Sequence, residues 1–275
     1  MSFKIGFTAQ TEQDEQRMVE KISAKDCYLP IAKKSVVDVY FADRHFTCSY
    51  YNDMFDLKRG DFVYVEGKLE GLRGRVVDVN YNFKIKLSDY KRVISVANTD
   101  VIGEFHLAGS HFITVDECAL NYDKASTWFK APSNEEDDFV SSTDDAVFNL
   151  ANLAEMKIDG AVADRGHDYY MKNRVVYIEL NVGKGRAIVN GKKPYDVEFN
   201  YNHKTGDISG LVCNCFCSGA CKHEFATMMQ LRDIFAIIEK EYPSFNPDDY
   251  LAAIVKSTFF EYAIDTQTKG SFTMG

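Results

Sequence analysis

One short stretch decides how this chain is organised: Cys213-Asn214-Cys215-Phe216-Cys217-Ser218-Gly219-Ala220-Cys221-Lys222-His223. It holds four of the seven cysteines and one of the six histidines in the 275 residues. Thiolate and imidazole groups are the ligands of tetrahedral zinc, and a structural zinc site fills all four positions with protein side chains. The composition of this stretch therefore predicts a structural metal site.

The spacing divides the ligands into two pairs. Residues two apart on an extended strand point the same way, so Cys213 and Cys215 present two thiolates from one strand end. Cys221 and His223 form the second pair, at the start of an apolar segment over residues 225–238 that we predict to be a helix. Together the four side chains make a complete Cys₃His set, and Zn²⁺ is the predicted cofactor.

Other interpretations of the cysteines compete with zinc, namely a disulfide knot, a redox pair and a soft-metal thiolate loop. The N-terminus, Met1-Ser2-Phe3-Lys4-Ile5, lacks the apolar core of a signal peptide, so we expect a cytoplasmic protein with reduced thiols. A thioredoxin-like site needs Cys-x-x-Cys, which the chain lacks. Cys217 is extra to the predicted set, so a site that pairs Cys215 with Cys217 stays open.

The ligand residues resemble the SWIM zinc finger, whose pattern is Cys-x-Cys, a variable gap and Cys-x-His. Upstream, residues 164–170 (Asp-Arg-Gly-His-Asp-Tyr-Tyr) and Arg174-Val175-Val176 are similar to the Arg-Gly-x-x-Tyr-Tyr and Arg-Val run of many bacterial members. The resemblance covers residues 156–240, about a third of the chain. It implies a zinc-binding module that associates with DNA or protein, in some bacterial proteins beside an ATPase.

A different pattern occupies the first half of the chain. From Ser35 the apolar residues alternate with polar ones in short runs broken by Gly60, Gly67 and Gly74, which predicts a small β-barrel. Residues 36–92 resemble the small β-barrel DNA-binding domain of the primosomal helicase PriA, and also SH3-like barrels built around Gly-Asp-x-Val.

Charge separates this barrel from the rest of the chain. The whole chain has a net charge of −9, which is unusual for a nucleic-acid binder. Residues 58–92 instead hold nine basic and five acidic residues. The predicted nucleic-acid contacts in this basic region are Lys58, Arg59, Arg73, Arg75, Lys84 and Lys86. The neighbouring aromatic residues suit stacking on unpaired bases, and they are Tyr50, Tyr51, Tyr81, Phe83 and Tyr90. The competing interpretation is a solvated barrel surface with these aromatic residues in its core.

The predicted fold class is α+β, in five segments. They are an N-terminal helical segment (1–35), the small β-barrel domain (36–132), an acidic linker (133–145), a SWIM-type zinc-binding domain (146–242), and a C-terminal helix and tail (243–275).

The zinc-binding domain is predicted to be a β-meander followed by the helix after Cys221. A helix over residues 144–156 opens this domain, and the meander is small enough that zinc is expected to couple directly to its folding. Asn246 and Pro247 are typical of a helix start, so they predict a last helix that packs through Leu251 and Ile254.

The predicted function is a non-catalytic zinc-binding module that binds nucleic acid, DNA in preference to RNA, alone or beside a helicase-like ATPase partner. A catalytic zinc keeps one open position, and four close protein ligands leave none, so we do not expect an enzyme. No apolar run approaches the roughly 20 residues of a membrane span. The alternative function is a zinc-stabilised protein–protein interaction adaptor, which the acidic balance and the predicted C-terminal helix support.

Overall fold

A computed structural model of the chain describes residues 33–132, 146–245, 249–264 and 272–274. The predicted helical segment up to residue 32 and the predicted linker over 133–145 lie outside these ranges. Within them the chain forms two β-sheets and a few helices, which agrees with a mixed α+β class.

The first sheet has five strands in the spatial order β2-β1-β4-β3-β5, each antiparallel to its neighbours. They are β1 (Ser35–Phe41), β2 (Phe46–Asn52), β3 (Phe62–Val65), β4 (Gly74–Asn80) and β5 (Val93–Val96). Val37, Val39 and Phe41 are buried at every second position of β1, as the period of two predicts. A bridge between Tyr51 and Arg92 joins the two ends of the strand order.

The second sheet has nine strands in the order β14-β6-β7-β13-β9-β10-β11-β12-β8. They are β6 (Gly103–Ala108), β7 (His111–Thr114), β8 (Phe148–Asn149), β9 (Val175–Asn181), β10 (Lys184–Asn190), β11 (Pro194–Asn202), β12 (Asp207–Cys213), β13 (Tyr250–Val255) and β14 (Phe272–Met274). The predicted meander is confirmed as the antiparallel run β9 to β12.

Strands β6 and β7 pair in this second sheet, although the sequence placed them in the barrel segment 36–132. Strand β13 lies between β7 and β9 and joins the two parts of the chain. Pairing between strands that are far apart in the sequence cannot be predicted from local composition. The division of the chain at residues 133–145 relied on local composition alone.

The described ranges contain four α-helices, and α3 confirms the helix predicted after Cys221. They are α1 (Tyr122–Ser126), α2 (Gly160–Met171), α3 (Lys222–Glu241) and α4 (Lys256–Phe259), with 3₁₀ turns at Ala42–Arg44, Leu87–Asp89 and Leu153–Met156 and a π-helical turn at Phe260–Ile264. Helices α2 and α3 pack against each other. In the described part of the chain, no helix has the length and apolar character needed to cross a bilayer.

The predicted C-terminal helix is wrong over residues 250–255, which form strand β13, whereas residues 256–264 are helical. All six residues of this strand are buried. A strand buried on both faces reads as a continuous apolar run, and periodicity alone cannot separate such a run from a buried helix. The predicted cap, Asn246 and Pro247, lies outside the described residues.

The helix predicted over residues 144–156 is also wrong where the structure describes it, since residues 148–156 form β8 and a 3₁₀ turn. The side chain of Asn149 accepts a hydrogen bond from the Ala151 N–H and donates one to the Thr205 carbonyl. Side-chain bonds of this kind to nearby backbone compete with helix formation.

The main apolar core lies between the meander and helix α3, so the meander shares its core with other elements. Its buried members come from β6, β7 and β9 to β13, from α3 and from the segment 148–156, and Cys213 and Cys221 are among them. The cysteine stretch therefore lies at the margin of a large core.

Candidate metal centre

Two secondary-structure ends bring the predicted ligands together. Cys213 is the last residue of β12, where it pairs with Val197 of β11, and Cys215 follows two residues later. Cys221 is the N-cap of α3, and His223 lies in the first turn of that helix. The strand end and the helix start therefore deliver one pair of ligands each, as the sequence predicted.

The geometry of the four side chains suits a metal ion. The ligand atoms of Cys213, Cys215, Cys221 and His223 all lie within 4.8 Å of one another. The Nδ1 atom of His223 is 3.6 Å from Cys213 Sγ and 3.7 Å from Cys221 Sγ. Tetrahedral zinc with Zn–S of about 2.3 Å and Zn–N of about 2.0 Å implies an S–N separation of about 3.5 Å. The donor set is therefore compatible with a bound ion.

The structure leaves Cys217 outside the cluster. Its side chain is exposed, whereas Cys213, Cys221 and His223 are buried and Cys215 is half-buried. The convergent set is the Cys213, Cys215, Cys221 and His223 set, and not one that substitutes Cys217.

A capping box fixes the start of α3. The Cys221 thiol accepts from the Glu224 N–H at 3.5 Å, and the Glu224 carboxylate accepts from the Cys221 N–H at 2.8 Å. This is the Ser-x-x-Glu arrangement with cysteine in the place of serine. Sequence reasoning missed the role of Glu224, although the Cys-x-x-Glu spacing carried the signal.

The thiols perturb one another strongly. The Cys213 thiol donates a hydrogen bond to the Cys221 sulfur, and this bond and burial raise the pKa of Cys213, whereas the same bond lowers the pKa of Cys221. Burial and the charge of Cys221 raise the pKa of Cys215 to about 12. These shifts favour the protonated form of Cys213 and Cys215 and the thiolate form of Cys221. A divalent ion at the centre reverses this, because it favours thiolate at every ligand.

Aromatic rings hold the imidazole of His223. Tyr195 stacks on it with centroids 4.3 Å apart, and Tyr169 meets it edge-on at 5.4 Å. The His223 Nε2 atom is buried and has no hydrogen-bond partner among the described residues. The orientation of this imidazole therefore depends on the two tyrosine rings.

Asn214, between the first two ligands, ties the loop to β11. Its N–H donates to the Asp196 carbonyl at 3.0 Å, and its side-chain oxygen accepts from the Asp196 N–H at 2.9 Å. The Asp196 carboxylate also accepts from Tyr122 and from Lys130. Sequence reasoning missed both residues, because their partners are distant along the chain.

The run Arg165-Gly166-His167-Asp168-Tyr169-Tyr170 holds α2 against α3. A Cβ atom at Gly166 would lie 2.8 Å from the Phe225 ring, so only glycine fits this approach without a shift. The Tyr170 hydroxyl donates to the Asp233 carboxylate of α3. Glycine and the two tyrosines are three and four residues apart, which places them on one helix face.

The predicted nucleic-acid contacts differ in their exposure to solvent. Lys58, Arg59, Arg75, Lys84 and Lys86 are exposed. The Arg73 guanidinium is half-buried, because it donates to the Trp128 carbonyl and to Glu261 and lies over the Phe62 and Tyr262 rings. Arg73 is therefore engaged within the protein.

The aromatic residues of the barrel segment are mostly inside. Tyr50 and Tyr51 are buried, and Phe83 is half-buried against Tyr51. Tyr81 is exposed. The interpretation that Tyr50 and Tyr51 are core residues is the one that agrees with the structure.

Comparison with family models, with curated proteins and with solved structures found no match for this chain. The function of the site is therefore inferred from its own residues.

Proposed function

We propose that this chain is a non-catalytic zinc-binding module that binds nucleic acid, DNA in preference to RNA. The single observation that carries the proposal is the convergence of three thiols and one imidazole within 4.8 Å. Four protein ligands complete a tetrahedral shell, so a bound zinc has no open position for water or substrate. When bound, the ion supplies structure rather than reactivity.

Some residues of the site would bind the ion, and others orient the ligands. Cys213 and Cys215 would hold it from the end of β12, and Cys221 and His223 from the start of α3. Zinc would therefore fasten a sheet to a helix at the margin of their common core. Tyr195 and Tyr169 orient His223, and Asn214 holds the loop between the first two ligands.

The distribution of charge supports a nucleic-acid partner despite the net value of −9. Residues 133–145 contain six acidic residues and no basic one, so they account for six of the nine net negative charges. Of the six predicted basic contacts, five are exposed in or beside the first sheet, and they are Lys58, Arg59, Arg75, Lys84 and Lys86. Basic side chains of this kind bind phosphates and release counterions.

A helicase-like ATPase partner also belongs to the proposal, and it rests on the SWIM resemblance of residues 156–240. The second candidate, a protein-interaction adaptor, is favoured by one observation, the fully exposed ring of Phe216 on the cysteine loop. A pull-down that recovers one defined protein after nuclease treatment supports the adaptor.

A salt titration tests nucleic-acid binding directly. We expect the zinc-loaded chain to bind labelled DNA at about 50 mM salt, with an affinity that falls as salt rises because counterions are released. The paired change Lys84→Ala with Lys86→Ala should reduce the salt slope. The matched control is Lys184→Ala with Lys204→Ala, two exposed lysines of the second sheet. No binding of DNA or RNA at low salt contradicts the proposal.

A further inference from the structure

The loop between the second and third ligands carries a fully exposed aromatic ring. Phe216 lies between Cys215 and Cys217, and it is the most exposed of the large apolar side chains that the structure describes. A single exposed apolar residue is ordinary on a protein surface. What distinguishes Phe216 is the set of side chains beside it.

A lysine from the turn between β10 and β11 reaches this ring. The Lys193 Nζ atom is 6.0 Å from the Phe216 ring centroid and 5.7 Å from the Tyr195 centroid. The Tyr195 ring in turn stacks on the ligand His223. A series of contacts therefore links the exposed ring, through the ammonium group and the Tyr195 ring, to the metal ligand.

A second lysine contacts the other ring that packs on His223. The Lys222 Nζ atom is 4.4 Å from the centroid of Tyr169, the ring that meets His223 edge-on. In the ion pairs found among the described residues, neither Lys193 nor Lys222 takes part. We call Phe216, Lys193, Tyr195, Lys222 and Tyr169 the knuckle face. It combines aromatic rings with two lysines that form no ion pair among the described residues.

We propose that the knuckle face binds single-stranded nucleic acid, with an unpaired base stacked on Phe216 and phosphates on Lys193 and Lys222. Every base has a π-face, so stacking on an aromatic ring tolerates any sequence, and lysines beside the ring meet the backbone. This inference rests on the proposed function and adds a single-strand contact beside the metal site to the basic residues of the first sheet.

The lysines favour nucleic acid over an apolar pocket of a partner protein. A pocket that enclosed Phe216 would also bury the Lys193 ammonium, and an unpaired buried charge is costly. A phosphate supplies the missing countercharge while the base covers the ring. Because the cysteine ligands lie on both sides of Phe216, the bound ion would also hold this ring in place.

The test uses the zinc-loaded full chain and a labelled oligothymidylate of about 12 nucleotides, within the range that one single-strand site covers. Phe216→Ala should weaken binding by about tenfold to a hundredfold, since stacking on one aromatic ring contributes about 1–3 kcal/mol. Phe216→Trp should restore it. Met171→Ala, which removes another exposed apolar side chain, should change nothing. Phe216 is not a ligand, so metal content should be the same in all variants.

Two further readouts separate the contributions. Lys193→Ala should reduce the salt slope of oligothymidylate binding by about one unit, as expected for one phosphate contact. Phe216→Ala should leave the affinity for a duplex of equal length unchanged, because a paired base does not present its face.

The outcomes distinguish this inference from the function on which it rests. If the wild-type chain binds oligothymidylate and Phe216→Ala binds it equally well, the knuckle face is overturned and the proposed function stands. If the wild-type chain binds no nucleic acid, the proposed function itself fails. If Phe216→Ala abolishes only nuclease-resistant capture of a protein, the knuckle face is a protein-docking surface and the inference is overturned.

Discussion

Two buried polar clusters include residues of the nine-stranded sheet, and they differ in how their polar groups are paired. The first surrounds Glu179 of β9, whose carboxylate accepts from the Tyr122 N–H at 2.5 Å, the Tyr177 hydroxyl at 2.9 Å and the Tyr250 hydroxyl at 3.2 Å. The second is the Cys₃His cluster, whose members face one another. The first carboxylate finds its donors within the protein.

The difference shows how a metal site can be recognised without a metal. Buried polar groups are normally paired inside the fold, because an unpaired one costs free energy. The Glu179 cluster is complete as it stands. In the Cys₃His cluster a hydrogen bond to Cys221 and burial raise the pKa of Cys213, and burial and the charge of Cys221 raise the pKa of Cys215. An added cation opposes these shifts, because it favours the thiolates.

The largest effect should come from removing one metal ligand. Cys221→Ser takes away a thiolate but keeps an N-cap oxygen for α3, and serine is among the best N-caps, so the variant isolates metal binding from helix capping. We expect one zinc per wild-type chain and none in this variant. The lost stability should be about 4 kcal/mol when free zinc is about 1,000 times the Kd. Metal analysis and denaturant unfolding with and without chelator measure both effects.

The control is Cys217→Ser, which should retain one zinc per chain because Cys217 is exposed and outside the cluster. Zinc lost from Cys217→Ser but kept by Cys221→Ser would overturn the ligand assignment. Since Cys213 and Cys215 hold protons in the metal-free state, zinc binding should release protons, and zinc affinity should rise with pH.

The second effect should come from breaking the cluster that needs no metal. Glu179→Leu removes the acceptor of the Tyr122 N–H and should lower the free energy of unfolding by about 1–3 kcal/mol, because that N–H is left unpaired. The Tyr177 and Tyr250 hydroxyls still reach the Leu120 carbonyl. Zinc content should not change. Glu179→Gln retains one acceptor and should cost less. The exposed Glu198, whose ion pair with Arg186 is solvated, gives the control Glu198→Gln, with an effect below about 0.5 kcal/mol. Loss of zinc in Glu179→Leu would show that the clusters are coupled.

The two clusters also differ in how far the sequence predicted them. The Cys₃His set, its division into two pairs and helix α3 follow from local spacing, so all were predicted. The Glu179 cluster needs Tyr250 of β13 and Tyr122 at the start of α1, which are distant along the chain. Its prediction requires the pairing of β13 with β9, and the sequence instead suggested a helix there. Local sequence patterns predict ligands that are close together in the sequence, whereas contacts made by the pairing of distant strands cannot be predicted from them.

The smallest effect on stability should come from substituting the two glycines of α2. Such a substitution can change zinc affinity only through packing. A Cβ at Gly166 meets the Phe225 ring at 2.8 Å, the Phe225 Cβ at 3.0 Å and the Lys222 carbonyl at 3.1 Å, whereas a Cβ at Gly160 meets nothing within 4 Å. Alanine favours a helix over glycine by about 1 kcal/mol, so Gly160→Ala should be neutral or stabilising. Gly166→Ala receives the same gain but forces α2 away from α3, and overpacking of this kind costs about 1–3 kcal/mol.

The pair of alanine variants therefore isolates the approach of α2 to α3. Because Tyr169 of α2 packs on His223, the shift in Gly166→Ala should also weaken zinc binding, which competition with a chromophoric chelator measures. The Glu179 cluster has no contact from α2 among its hydrogen bonds, so its contribution should persist in both variants. Equal zinc affinity in Gly160→Ala and Gly166→Ala would mean that β12 and α3 alone orient the ligands. In that case the upstream Arg-Gly-x-x-Tyr-Tyr run would serve the fold and not the metal.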